Sequence, residues 1–366
     1  LSHKFAKTTS PSSIFLDNLL VDSVTLSMKR FLLTLLCGLL TVACPAQVTS
    51  PIVGFITLHL QEGTNFLGFA LLPGLELQTA FTVAAGNRQQ IFLQGNGLVL
   101  IDDQFNSGPL PSHAIEIITA GPGQGFTSVI TGTLATGLQL NLAEAVPAEV
   151  ADGATLKVWR LWTLASVFGT DNEAGLTGAE SPGSADLVLL PNGEGFDRYF
   201  FSTGGALGRG WRREGAGTTD QAQAPLPLTG GVALFARSAK AVVLTGQVKP
   251  GHSRVQLQTG HNYVANLCPV NAAGANASAK GRTLENSGLA AGLQGATASE
   301  QADLVLLWNG GGYDAYFHST GGALESGWRK IGAGKTDQAG VALPDGAYVI
   351  LRRGAPTPLV LHQGDF

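Results

Sequence analysis

The thirteen residues GWRREGAGTTDQA (Gly210 to Ala222) return as GWRKIGAGKTDQA (Gly327 to Ala339), 117 positions later. A repeat of that fidelity constrains the fold more than any single motif, because the chain must build one supersecondary unit twice. At the same offset, ADLVLLPNGEGFDRYFFSTGGAL (Ala185 to Leu207) matches ADLVLLWNGGGYDAYFHSTGGAL (Ala302 to Leu324). GGVALFARSAKAVVLTG (Gly230 to Gly246) resembles GAYVILRRGAPTPLVLHQG (Gly346 to Gly364), and WTLASVFG (Trp162 to Gly169) resembles RTLENSG (Arg282 to Gly288). A fainter echo sets LHLQEGTNFLGFALLP (Leu58 to Pro73) on VQLQTGHNYVANLCPV (Val255 to Val270) at an offset of 197, which places Phe66 on Tyr263. The two offsets differ by about eighty residues, so the first copy carries an insertion.

Within the unit, ADLVLLW is a short apolar run of the kind that forms a buried strand, and YDAYF alternates between two faces. Asn192-Gly193 and Asn309-Gly310 predict hairpin turns, with both turn positions at positive φ. Thr163 and Thr283 stand where N-caps of one short helix belong. The insertion holds HAIEIITAGPGQGFTSVITGTLATGLQLNL (His113 to Leu142), three strands joined by glycine-rich turns, and DGATLKVWR (Asp152 to Arg160), read as the return to the parent unit. With 49 glycines and only 13% charged residues, the chain reads as all-β. The expected architecture is two copies of a small β-module, sandwich- or barrel-like with one short helix each, the first interrupted by an inserted small β-barrel. The boundaries are 47–75 and 159–248 for the first module, 76–158 for the insert and 249–366 for the second module. Replacing the insert with a short linker is expected to leave a folded protein, since closing a short loop costs little.

Ahead of the modules, Met28-Lys29-Arg30, the apolar stretch Phe31 to Val42 and the small residues Ala43-Cys44-Pro45-Ala46 have the order of an export signal, 28–46. About twelve apolar residues are too few to anchor a helix across a bilayer. Residues 1–27 precede that signal and are read as a mis-assigned upstream segment. Cleavage after Ala46 is favoured over a lipidated Cys44, because Thr41 stands where such sites usually carry Leu. With Cys37 and Cys44 in the signal, Cys268 has no disulfide partner in the exported chain. Taking the four basic and two acidic residues before Gln47 from 22 and 26 leaves 18 and 24, a net charge near −6. Without a basic cluster, that balance argues against nucleic acid and anionic membranes as partners.

In this order, the LxxGxN opening, the Thr-Leu segment, ADLVLLWNGGGYDAYF, GWRK and GAYVILRR resemble a family of exported paralogues described from verrucomicrobial bacteria. The resemblance covers most of Pro51 to Phe366, and the doubled GWR block is its most distinctive part. More distantly the pattern is similar to a bacterial surface module that opens Gly-Trp-Asn-Leu-Ile-Ser, although Thr64 and His261 replace its Trp. No activity is assigned to the family, so the resemblance implies export and architecture only.

Few motifs point to chemistry. Gly121-Pro122-Gly123-Gln124-Gly125 is followed by strand-like FTSVITG, which makes it a hairpin turn and not a phosphate loop opening a helix. Asp102-Asp103 and Asp171-Asn172-Glu173 lack the alternating acids of a calcium loop. No nucleophile elbow or His-Glu-x-x-His is present, and no metal or other cofactor is expected. The acids recurring in both copies (Asp186/Asp303, Asp197/Asp314, Asp220/Asp337) fall at strand starts and turns. The histidines His113, His252, His261, His318 and His362 do not cluster. His318 stands where the first copy has Phe201, which marks it as packed.

The candidate binding residues are Tyr199, Trp211 and Arg212 with their counterparts Tyr316, Trp328 and Arg329; Phe196 and Tyr313 recur beside them. Two readings are open. Flat aromatic faces on a β-surface could stack on sugar rings while the arginines bond hydroxyls. Alternatively, the rings fill the module core with the arginines snorkelling to water. The second is preferred, because small β-modules need large side chains to bury enough area. The expectation is a non-catalytic, exported structural or adhesive protein of the cell envelope or extracellular space. The alternative is a carbohydrate-binding protein, and the third reading is a hydrolase with an unrecognised site. Polysaccharide or other envelope components are the partner classes this leaves.

Overall fold

Glycine and asparagine punctuate the apolar runs of this chain, and most such runs among the described residues are strands in the computed structural model. It describes residues 53–106, 108–249, 251–267 and 282–361. The segments 1–27 and 28–46, with Cys37 and Cys44, and also Cys268 and His362 lie outside the described residues. The first module opens with β1 (Val53–Leu60), β2 (Gly63–Leu67) and the two-residue β3 (Leu71–Leu72). The insert follows as β4 (Leu75–Ala84), β5 (Asn87–Gln94), β6 (His113–Ile117), β7 (Thr127–Leu134), β8 (Gln139–Leu142) and β9 (Thr155–Arg160). The first module resumes with α1 (Leu164–Phe168), β10 (Leu187–Pro191), β11 (Phe196–Thr203), β12 (Arg209–Arg213), β13 (Val232–Ala236) and β14 (Lys240–Val248). The second module comprises β15 (Ser253–Leu257), β16 (Gly260–Ala265), α2 (Leu289–Gly292), β17 (Leu304–Trp308), β18 (Tyr313–Thr320), β19 (Ser326–Lys330), β20 (Ala347–Arg352) and β21 (Thr357–Leu361).

Each module is built on a five-stranded antiparallel sheet, in the order β12-β11-β10-β13-β2 in the first and β19-β18-β17-β20-β16 in the second. These are the same order, strand for strand. A smaller sheet covers each: β1-β14-β3 in the first, β15-β21 in the second. The protein is therefore all-β, with two copies of one module. Leu164, Phe168, Trp211, Val232 and Leu234 are core residues of the first copy; Leu284, Leu289, Trp328, Tyr348 and Ile350 are core residues of the second.

Two local expectations are corrected. The Asn-Gly pairs do not form two-residue turns. Only Gly193 (φ 88°) and Gly310 (φ 94°) have positive φ. Asn192 accepts backbone N–H bonds from Glu194 and Gly195 through Oδ1, and Asn309 accepts those of Gly311 and Gly312, so the carboxamide closes a four-residue loop. Thr163 does cap α1, exchanging bonds with Ser166 in a capping box. Thr283 makes the same exchange with Asn286, yet only a turn follows, and α2 starts six residues after Thr283, behind Gly288. The second copy has one residue fewer before its left-handed glycine, too few to complete the helix.

The insert is a closed six-stranded barrel, β4-β5-β8-β7-β6-β9, whose interior is filled by side chains such as Phe81, Ile91, Ile115, Leu140 and Leu156. β9 pairs with both β4 and β6, so it closes the barrel and only then returns the chain to the module. The barrel is not a detachable appendage. Ala114 and Trp159 pack with Leu72, Leu161 and Leu228 of the first module. Glu116 accepts Trp159 Nε1–H at 2.8 Å and pairs with Lys249 at the start of the second module, both charges lying below 5% exposure. Gly125 accepts Arg254 N–H at 3.0 Å, and a Cβ there would sit 2.5 Å from the His252 carbonyl oxygen. Deleting the insert would thus uncover apolar surface and remove the Glu116 partner of Lys249, so the expected deletion would carry a stability cost.

Inside the barrel, His113 stacks edge-on against Phe105 (5.2 Å) and its Nδ1 lies 2.8 Å from Ser112 Oγ. Burial holds its pKa below the usual 6.5, against a hydrogen bond to the Phe105 carbonyl that works in the opposite sense. The unfolded chain then binds more protons than the folded one between the two pKa values. Stability present above about pH 6.5 should be lost as the pH falls through the lowered value. Denaturant melts from pH 7.5 to 5 should show this slope, and His113→Gln should flatten it; an unchanged slope in the variant would locate the effect elsewhere.

The two modules meet across a local pseudo-two-fold axis. Phe66 stacks on its own counterpart Tyr263 (centroids 6.1 Å apart, 17° between planes), while Phe66–Tyr313 (5.9 Å) and Tyr263–Phe196 (5.1 Å) are exchange-related pairs. Such self-complementary pairing is the signature of an isologous interface. On this seam the first module presents Gly68 and Gly231 and the second presents Ala265 and Ala347 at the matching positions. A Cβ on Gly231 would lie 2.6 Å from that of Ala347. Gly231→Ala should therefore cost about 1–3 kcal/mol by overpacking, and adding Ala347→Gly should recover most of it. Failure of the second change to rescue the first in a urea melt would show that the methyl clash is not the cause.

Candidate functional site

All six residues singled out from the repeat are buried: Trp211 is 0% exposed, Trp328 3%, Arg212 6%, Arg329 4%, Tyr199 7% and Tyr316 5%. They do not form a shared surface. Trp211 packs against Phe168 and edge-on against Phe201 (5.7 Å, 76°); Trp328 meets His318 the same way (5.6 Å, 76°). His318 thus fills the place of Phe201. Nor do the arginines snorkel to water. Arg212 donates to the carbonyls of Leu207, Trp211 and Arg209 at 2.8–2.9 Å, and Arg329 donates to those of Leu324, Trp328 and Ser326 at 2.7–3.0 Å. A planar five-donor head suits a ring of carbonyls, and the ring is formed by the last residue of the STGGAL segment and two residues of the strand that follows it. Sugar stacking on these rings is removed by their burial.

The recurrent acids are likewise engaged. Asp186 accepts backbone N–H from Thr177 and Arg237 and pairs with Lys240; Asp303 accepts those of Gln294 and Arg353 and pairs with Arg352. Asp220 and Asp337 approach Arg212 and Arg329 at 3.4 and 3.2 Å. Asp197 and Asp314 accept from Asn192 and Asn309 at 3.1 Å and pair with Arg213 and Lys330. Asp102 holds the Ala135 amide, Asp103 the Asn106 carboxamide, and Glu173 the Asp171 amide. The Gly121–Gly125 segment is the β6–β7 turn, as its sequence suggests.

What the fold leaves open is a groove where the insert and both modules converge. One cavity of about 620 Å³ is lined by Thr127, Glu144 and Glu149 of the insert, Pro191 and Thr229 of the first module, and Arg254, Gln256, His261 and Tyr263 of the second. A second, of about 780 Å³, continues between the insert and the first module and shares Thr127, Glu144, Pro191, Pro227 and Thr229 with the first. Of the six residues expected from the repeat, only Tyr199 lines it. Strand alternation sets the second-module wall: Val255 and Leu257 point into the core, which turns Arg254 and Gln256 outward. His261 and Tyr263 share the outer face of β16 for the same reason.

Tyr263 is half-buried and lines the groove, its ring held between Phe66 and Phe196. Burial raises the pKa of its phenol, which stays a neutral donor and acceptor. Arg254 pairs with Glu149 at 3.0 Å and also donates to the Pro122 carbonyl. The backbone amide of Glu149, more than Arg254, holds that carboxyl below its usual range. The wall is thus polar, and its arginine is paired. Sequence reading missed it because its parts lie far apart in the chain; the one available signal was the aromatic retained at Phe66 and Tyr263.

Among the described residues no group of His, Cys, Asp and Glu is placed to hold a metal, and no helix is long and apolar enough to cross a membrane. No family model, curated protein or solved structure matches the chain.

Proposed function

We propose that this is an exported, non-catalytic structural or adhesive protein of the cell envelope or extracellular space, belonging with the verrucomicrobial paralogues it resembles. The observation that supports this is where the repeated polar residues go. Acids and arginines kept in both copies serve loops, turns and buried pairs, so what the repeat preserves is a scaffold and not a reacting centre. Export is supported by the basic start, apolar stretch and small residues of 28–46. The test is to express the chain in an export-competent bacterium, sequence the N-terminus of the exported product, and measure its retention on washed envelope fractions. A product starting at Gln47 that is retained by envelope agrees with the reading. A product held in the cytoplasm overturns it; an exported product found only in the medium places the protein in the extracellular space and not the envelope.

Carbohydrate binding is the second reading, and one observation favours it: the polar groove is lined by a tyrosine whose ring is held in place by two others. It no longer rests on the repeated tryptophans. Contacts of that kind would give an adhesive scaffold its target.

A further inference from the structure

We propose that the groove at the junction of the insert and the two modules binds a neutral oligosaccharide chain, with Tyr263 as the stacking ring and Thr229, Gln256 and His261 as hydroxyl partners. This rests on the carbohydrate reading and assigns it a site. Three properties select that ligand class. The two cavities, about 620 and 780 Å³, share one wall, so the space is elongated and suits several linked rings better than one small molecule. Its cations are matched within the protein: Arg254 is committed to Glu149 and the Pro122 carbonyl, and Arg213 lies 3.4 Å from Asp197, while Glu144 adds a carboxylate to the shared wall. A surface whose cations are already neutralised offers no grip to phosphate or a polyanion, whereas hydroxyls need only neutral donors and acceptors. Gln256 offers a neutral carboxamide and His261 a ring nitrogen, both from exposed positions beside Pro191 and Pro227.

Pre-organisation adds to this. The Tyr263 ring is fixed by Phe66 at 6.1 Å and Phe196 at 5.1 Å, so little side-chain freedom remains to be lost on stacking. The pseudo-symmetric mate, Phe66, does not line the groove, and neither does Thr64, the counterpart of His261. The insert covers the second module's side of the junction through Gly125 and Arg254. One insertion thereby makes a single asymmetric site from two similar modules.

The test uses the full chain and saturation-transfer NMR with cellohexaose, xylohexaose, mannohexaose, chitohexaose and maltohexaose, with hexagalacturonate as the acidic comparison. Wild type should bind at least one neutral hexaose. Gln256→Trp, which fills the groove from an exposed position, and His261→Ala should each weaken that binding about tenfold or more while leaving the thermal midpoint unchanged. Tyr263→Phe should retain stacking, and Tyr263→Ala should lose it. Binding that persists undiminished in both Gln256→Trp and His261→Ala would overturn this site while leaving the carbohydrate reading intact. Absence of binding to every sugar would overturn both. Binding to hexagalacturonate alone would overturn the neutral class.

Discussion

Replacing Trp211 or Trp328 with alanine is expected to destabilise the protein by about 3–5 kcal/mol, the range for deleting a fully buried large aromatic. Each indole is its module's largest buried side chain at that layer, and each meets a ring on the neighbouring strand at nearly the same distance and angle: Phe201 at 5.7 Å, His318 at 5.6 Å. Trp211 also donates from Nε1 to the Gly169 carbonyl at 2.9 Å, a bond that ties β12 to the end of α1. Its loss removes that bond, although Gly169 still accepts the Asn172 N–H at 3.2 Å, and Trp211 is the more completely buried of the two indoles, so Trp211→Ala should be the costlier variant. Neither should alter retention on envelope material under conditions where the variant is folded. Denaturant melts with far-ultraviolet circular dichroism measure the first effect; two variants as stable as wild type would contradict the burial described above.

The second large effect is expected at Lys249. Its ammonium and the Glu116 carboxylate are removed from water together, and burial pushes the Lys249 pKa down to about 7. Lys249→Met leaves Glu116 buried with only the Trp159 N–H as a partner in its immediate pair network, an uncompensated charge of the kind that costs about 3–5 kcal/mol. Changing both residues, Lys249→Met with Glu116→Gln, removes the stranded charge while keeping an acceptor for the indole. The double variant should therefore be more stable than the single one, approaching wild type. A double variant as unstable as Lys249→Met would mean that the pair is not what joins the insert to the second module. The sign of the pKa shift gives a further check. Because the unfolded lysine titrates near 10.4, the unfolded chain binds more protons between about pH 7 and 10, and wild-type stability should rise over that interval. In the double variant that rise should be absent.

The sequence by itself determined the local and the repeated. Apolar runs bounded by Gly, Asn and Pro became strands, and the 117-residue offset became two sheets of one strand order, because both depend on short-range sterics and on hydrophobic pattern. The interruption of the first copy was also legible, since an insertion shifts one offset against another. Even the role of His318 could be read, from the Phe201 that replaces it. Turn chemistry was only partly legible: Asn192 and Asn309 close their loops with side chains, and nothing in an Asn-Gly dipeptide distinguishes that from a two-residue turn.

Tertiary structure decided what no local pattern encodes, which is which side chains of distant segments share one volume. Arginine is usually found at the surface, so Arg212 and Arg329 read as snorkelling, whereas carbonyls of their own strand and of the loop before it surround them. Gly231 faces Ala347 and Glu116 faces Lys249 across more than a hundred residues of chain. The groove has the same origin. Thr127, Thr229 and Tyr263 belong to the insert, the first module and the second, and they meet only because the barrel's β6–β7 turn packs against β15 and the modules pair about a common axis. A repeat preserves what each copy needs to fold, so its shared residues reported the core; a binding surface formed once, between copies, leaves no repeated trace.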